Sequence, residues 1–207
     1  MDENPYAAPQ VSLVEPLALN LQGWRAGQLR VLAYLSLSSA LGALMLLALV
    51  LAEQGLAEPK AALLASWLEP LFGMLGCYLL IRLKQFVEQR FAARHLARPT
   101  WALVLCSLLL MALQPWVDEA ASTPVWSWVA YFALLIAYGL CLSWLGIRLL
   151  QVPAAYPALR LLAWLDTVSG LMCASILLLL PSLIPAIAAY FALAAVFFAA
   201  ARECAQP

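Results

Sequence analysis

Long apolar stretches, separated by short polar or proline-bearing links, dominate the chain from about residue 31 onward. A helix needs about 20 apolar residues to cross the ~30 Å hydrocarbon core of a bilayer. Six stretches reach or approach that length: residues 31–52, 61–81, 101–117, 125–147, 161–180 and 183–201, the third being the shortest. The pattern predicts an all-α fold, a polytopic membrane bundle of six transmembrane helices. Between the last two, Pro181-Ser182-Leu183-Ile184-Pro185 predicts a tight hairpin turn, because prolines do not continue a regular helix. The alternative is one broken helix with a re-entrant piece. The first apolar run starts too late and runs too long for the core of a cleaved signal peptide, so the N-terminus is expected to be retained.

The remaining segments divide the chain into three parts. Residues 1–30 form a cytoplasmic N-terminal arm and interfacial segment: 1–16 are proline-rich and polar, as in an extended arm, and 17–30 place Leu17, Leu21, Trp24 and Leu29 beside Arg25 and Arg30. Residues 31–201 are the transmembrane domain, in which a basic cytoplasmic loop covers 82–100. Residues 82–98 read as a polar helix continuing the second span. Residues 202–207 are a cytoplasmic tail.

Composition sharpens this reading. Of 207 residues, 66% are hydrophobic and only 11% charged, with a mean hydropathy of +0.91. A soluble domain carries about 25% charged residues, so a soluble enzyme, a nucleic-acid binder, a secreted disulfide scaffold and a disordered tail are all excluded. The net charge is zero, yet all of the 11 lysines and arginines except Lys60 fall on the side of the termini and the 82–100 and 148–160 loops. The positive-inside rule then sets both termini in the cytoplasm. The partner implied is a bilayer with an anionic inner leaflet. Five cysteines without a CxxC pair, and a single histidine, His95 in the basic loop, suggest neither a disulfide framework nor a metal or other cofactor.

Shifting the sequence by 97 residues aligns the first two spans with the fourth and fifth. Ala33-Tyr34 falls on Ala130-Tyr131, Gly42 on Gly139, Trp67-Leu68-Glu69 on Trp164-Leu165-Asp166, and Gly73 on Gly170. Residues 31–83 share about 13 identities with their counterparts, where roughly 5 are expected in so leucine- and alanine-rich a chain. A unit of three spans re-enters the membrane from the opposite side, so the pattern predicts a 3+3 inverted repeat, an arrangement common in transporters.

Glu69 and Asp166 are costly residues to place in lipid. Glu69 falls about eight residues from the outer end of its span and Asp166 about five from the inner end of its own, equivalent depths under the inversion. Two readings stay open: protonatable carboxylates that bind a proton or cation near the mouths of a pathway, or interhelical glue, each acid hydrogen-bonding a Ser, Thr, Tyr or Trp (locally Ser66, Trp67, Trp164, Thr167 and Ser169) or meeting an arginine near the interface. Gly42, Gly73, Gly76, Gly139 and Gly170 are candidates for close helix packing. Thr167-Val168-Ser169-Gly170 lacks the first glycine of the rhomboid serine motif, and no HExxH, P-loop or GxGxxG is present, so no catalytic activity is expected.

Asn4-Pro5-Tyr6-Ala7-Ala8-Pro9 resembles the NPYxxP box that opens many uncharacterised bacterial inner-membrane proteins. The resemblance covers six residues and implies a bacterial plasma-membrane protein with no particular activity. Asn4, Pro5, Tyr6 and Pro9 would form an extended, polyproline-like arm able to dock on a cytoplasmic or membrane protein. The reading that results is a non-enzymatic membrane protein acting as an accessory or scaffolding component. The alternative is a small transporter or channel for a proton, cation or small solute, using Glu69 and Asp166.

Overall fold

The computed structural model describes residues 23–56, 59–118, 125–153 and 155–205, the side chains of 50–65, 94, 116, 118 and 125 excepted. These residues form six α-helices and, among the described residues, no strand. The helices are α1 (Ala26–Leu56), α2 (Pro59–Phe91), α3 (Ala97–Asp118), α4 (Val125–Leu150), α5 (Pro157–Ala174) and α6 (Leu179–Glu203). Five of them, all but α5, are long and apolar enough to cross a membrane. At 18 residues, α5 is about 27 Å long and carries Arg160 and Asp166. The chain is therefore an all-helical bundle whose composition fits a multi-pass membrane protein.

The turn between the last two helices lies at 175–178 and not at 181–185 as the prolines predict. Pro181 stands in the first turn of α6, where backbone N–H groups have no intrahelical acceptor, so its missing N–H costs nothing. Pro185 lies further inside α6 and is tolerated there at the loss of one backbone hydrogen bond. The reversal is made instead by Ile176, which adopts a left-handed φ of 58°. Ser169 Oγ donates to the Ser182 carbonyl at 3.1 Å and ties the two helices together just beyond it.

A second boundary differs as well. Residues 82–98 do not form one continuous helix: α2 stops at Phe91, Ala92 takes a φ of 52°, and a 3₁₀ turn at Arg94–Leu96 leads into α3. A left-handed residue directly after a helix is the usual way to end one. Pro99, in the first turn of α3, suits a helix start and would interrupt a helix interior.

Backbones approach one another between consecutive helices and between α6 and α1, so the six helices close into a ring. The links are short, at most six residues, so neighbouring helices run antiparallel. The start of α1, the ends of α2, α4 and α6 and the starts of α3 and α5 thus share one end, and the basic residues gather there. At this end the Arg90 guanidinium contacts both the Tyr156 hydroxyl at 3.4 Å and the Glu203 carboxylate at 3.2 Å. The Tyr156 O–H also donates to Glu203, closing a triad across α2, the α4–α5 link and α6.

Every helix turns a large aliphatic residue outward. Leu41, Leu71, Leu105, Leu140, Leu161 and Ile184 are each more than half exposed. An apolar girdle on all six helices is the surface lipid requires and water penalises. The buried core, by contrast, is concentrated toward the basic end, where Leu29, Leu83, Phe86, Leu149, Leu159 and Phe197 are 3% exposed or less.

The glycines sort the helix contacts by closeness. A Cβ built on Gly139 would lie 2.6 Å from the Gly170 carbonyl oxygen, and one on Gly170 would lie 2.5 Å from the Gly139 oxygen. The α4–α5 contact is therefore backbone on backbone, and Ser143 Oγ bridges it by donating to the carbonyls of Gly139 and Thr167. Gly42 faces the Phe72 ring instead, and Gly73 faces the thioether of Met111. These two make room for side chains and do not bring backbones together.

Candidate functional site

Asp166 projects from the middle of α5, about 14 Å along it. It is deeper than the sequence suggests, because α5 starts at Pro157 and not near 161. The residue is only 7% exposed. The neighbours expected to bond it are engaged elsewhere or turned away. Thr167 Oγ1 donates to the Ala163 carbonyl, Ser169 Oγ to Ser182, and Trp164 points outward. No hydrogen bond joins the Asp166 carboxylate to another described residue, and its oxygens are open to the adjoining cavity and not sealed in the core.

Asp166 opens onto a cavity of about 80 Å³ inside the ring. Its walls are leucines and alanines of α2, α3, α4, α5 and α6, joined by the side chains of Tyr138 and Tyr190. No hydrogen bond to another described residue engages either phenol. The Tyr190 hydroxyl lies against Gly76, where a Cβ would sit 2.9 Å from it. An ionised carboxylate buried without a partner costs several kcal/mol, so this group either holds a proton or is met by a ligand or water. A cavity of this size has room for a few water molecules, and three oxygen-bearing side chains give them partners.

Glu69 is placed differently. It is exposed, about 15 Å along α2, and accepts a hydrogen bond from the Gln114 amide of α3 at 2.5 Å. It lines a cleft of about 400 Å³ between α2 and α3, together with Ser66, Pro70, Met111, Gln114 and Pro115. Pro70 and Pro115 stand inside the two facing helices and remove a backbone donor from each.

The two acids do not touch, yet the spaces they line adjoin one another through shared wall residues. A middle cavity of about 230 Å³ shares Glu69, Met111 and Gln114 with the outer cleft, and shares Gly76, Leu80, Tyr138 and Tyr190 with the Asp166 cavity. Ser107, Cys77 and Tyr131 add polar groups to its wall. The series narrows from about 400 to 230 to 80 Å³ and ends on Asp166. Beyond it, toward the basic end, the core around Phe86 and Phe197 is closed.

Such a line can pass water and protons from a wide mouth to one buried acid. It is poorly suited to a hard divalent cation, which takes six or more oxygen ligands. Sequence reasoning found the two carboxylates but missed Gln114, Tyr138 and Tyr190, which connect them. Tyr138 and Tyr190 read as ordinary aromatics within apolar runs, and nothing in their spacing marks them. Gly146 was also overlooked, although Gly139, Ser143 and Gly146 at i, i+4 and i+7 form a stripe of small residues on one face. Asn4, Pro5, Tyr6 and Pro9 lie outside the described residues. No family model, curated protein or solved structure matches the chain.

Proposed function

We propose that this chain is a non-enzymatic, multi-pass protein of a bacterial inner membrane, with both termini cytoplasmic, acting as a small proton-handling transporter or channel. The observation that carries this reading is the narrowing series of cavities from the Glu69 cleft to the unpartnered carboxylate of Asp166. A proton entering past Glu69 and Gln114 is relayed by water past Tyr138 and Tyr190 to Asp166, and its release to the basic end requires the closed core around Phe86 and Phe197 to part. Collection of the basic residues at the opposite end supports the cytoplasmic assignment of that end. The closed ring of helices maps onto itself when α1–α3 are exchanged with α4–α6, as an inverted repeat requires. An accessory role through the N-terminal arm is compatible with this site, but no described residue carries it.

The test is a flux assay in liposomes holding a trapped pH dye, with a potassium diffusion potential as the driving force. Wild-type protein is expected to acidify or alkalinise the lumen faster than empty liposomes, according to the sign of the potential. Asp166→Asn should abolish this flux, and Glu69→Gln should slow it while leaving it measurable. Wild-type liposomes as tight as empty ones, or an Asp166→Asn variant as fast as wild type, would refute the proposal.

A further inference from the structure

At the basic end, a recess of about 300 Å³ lies between the start of α1 and the later part of α2. Trp24, Gly27 and Gln28 form its upper wall, Val31 and Leu32 its apolar floor, and Tyr78 and Arg82 its far side. The guanidinium of Arg82 is held in place from two directions. Its Nε–H donates to the Tyr78 hydroxyl at 3.1 Å and its Nη1 to Gln85 Oε1 at 3.1 Å, and its carbon lies 5.3 Å from the Tyr78 ring centre. Trp24 is fixed in turn by its indole N–H, which donates to Gln89 Oε1.

Among the described residues, Arg82 is oriented but not neutralised. The described ion pairs are Lys84 with Glu88 and Arg90 with Glu203, and among the described residues no carboxylate pairs with Arg82. A guanidinium has five N–H donors in a fixed fork suited to phosphate, and the two neutral acceptors leave most of that fork unused. Arg25 and Arg30 are exposed nearby at the same end and add to the positive field. Gly27 lines the recess, and a Cβ there would meet nothing within 4 Å, so a larger side chain can be introduced at this wall without a clash.

We infer that this recess binds the headgroup of an anionic phospholipid, its phosphate on Arg82 and an acyl chain descending over Val31 between α1 and α2. Charge complementarity selects the headgroup, and the apolar floor favours a lipid over a free anion. The inference rests on the chain residing in a bilayer and is independent of whether Asp166 carries protons.

Delipidated protein in a neutral detergent, titrated with phosphatidylglycerol and read by native mass spectrometry, tests it. One phosphatidylglycerol is expected to bind saturably, with phosphatidylcholine clearly weaker and inorganic phosphate unable to displace it. Arg82→Gln should weaken binding about ten-fold, as loss of a charge-assisted phosphate contact does. Arg202→Gln, which removes an exposed charge at the same end, should leave it unchanged. Gly27→Leu fills the recess without touching the guanidinium and should weaken binding too, which separates a filled site from an Arg82 variant that merely misfolds. Unchanged binding in both Arg82→Gln and Gly27→Leu overturns the inference, as does equal affinity for phosphatidylcholine. Displacement by inorganic phosphate alone overturns the lipid assignment in favour of a free-anion site.

Discussion

The halves α1–α3 and α4–α6 share sequence landmarks but use them differently. Glu69 and Asp166 are counterparts in the 97-residue alignment, yet the first is exposed and bonded to Gln114 while the second is only 7% exposed and hydrogen-bonded to no other described residue. Gly42 and Gly139 are also counterparts. The first makes space for the Phe72 ring, and the second brings α4 directly onto the α5 backbone at Gly170. The difference has one physical origin. Where glycine meets glycine the helices close up, squeezing water and side chains out of the contact. Where glycine meets Phe72 or Met111, bulky side chains hold the helices apart. The α4–α5 contact is thereby the close one and bears the buried acid, and the α2–α3 contact is the wider one, lined by the Glu69 cleft.

The largest expected effect comes from filling these contacts. Gly139→Ala or Gly170→Ala sets a methyl within 2.6 Å of backbone that cannot move without parting the helices, and should cost about 3 kcal/mol. Gly73→Ala meets only the flexible end of Met111 and gains helix propensity, so its change should stay within ~1 kcal/mol. Thermal unfolding in detergent measures both. Equal losses at Gly73 and Gly170 would remove the distinction between a close and a wide contact.

The two acids should respond differently to being made apolar. Asp166→Leu removes a carboxylate that no other described residue hydrogen-bonds, so melting temperature should hold or rise, and under the proposed function proton flux should be lost. Glu69→Leu leaves Gln114 without its acceptor at an exposed site, and little change in melting temperature is expected. A destabilised Asp166→Leu would mean that the carboxylate makes a structural bond and would argue for a packing role.

Much of this architecture was legible in the sequence because lipid imposes a simple rule: a stretch of about 20 apolar residues is a helix. Five of the six helices followed from that rule, whereas α5, expected as a span over 161–180, forms at Pro157–Ala174 with Arg160 and Asp166 inside it and falls short of the rule. Boundaries followed less well. The proline pair 181/185 was read as a turn because prolines interrupt helix interiors, but a first-turn proline interrupts nothing, and the reversal was left to Ile176. The two acids were visible because charge is rare in such a chain. The tyrosines that join their cavities were not, since a pore-lining phenol and a packed one occupy the same apolar pattern. Their role depends on which way each helix faces in the ring, information that the near-uniform apolarity of these spans does not encode.

A smaller effect is expected where the two halves are latched at the basic end. Burial and the hydrogen bond to Glu203 raise the Tyr156 phenol from its ordinary value of 10.0 to about 12. The unfolded phenol ionises first, so this stabilisation is complete below pH 10 and is lost as the pH rises from about 10 to 12. Melting temperatures measured from pH 8.5 to 11.5 should therefore fall at the alkaline end. Tyr156→Phe should start lower by about 1 kcal/mol, having lost its bonds to Glu203 and Arg90, and show a flatter decline. A parallel decline in both proteins would place the alkaline sensitivity elsewhere.

The smallest effect concerns the corresponding links, α2 to α3 and α5 to α6, each of which turns on one left-handed residue. Ala92 has a φ of 52° and Ile176 a φ of 58°. For a residue with a Cβ this region is strained, more so when the side chain is β-branched. Glycine relieves the strain at both sites, although its greater freedom in the unfolded chain offsets part of the gain. Ala92→Gly should raise stability by a few tenths of a kcal/mol, and Ile176→Gly by up to ~1 kcal/mol, the half-buried isoleucine side chain being the main loss. If the order is reversed, the apolar contacts of Ile176 outweigh its backbone strain. The α5–α6 reversal would then be held by side-chain packing, as the α1–α2 contact at Phe72 is, and close backbone packing in that half would rest on the Gly139–Gly170 contact alone.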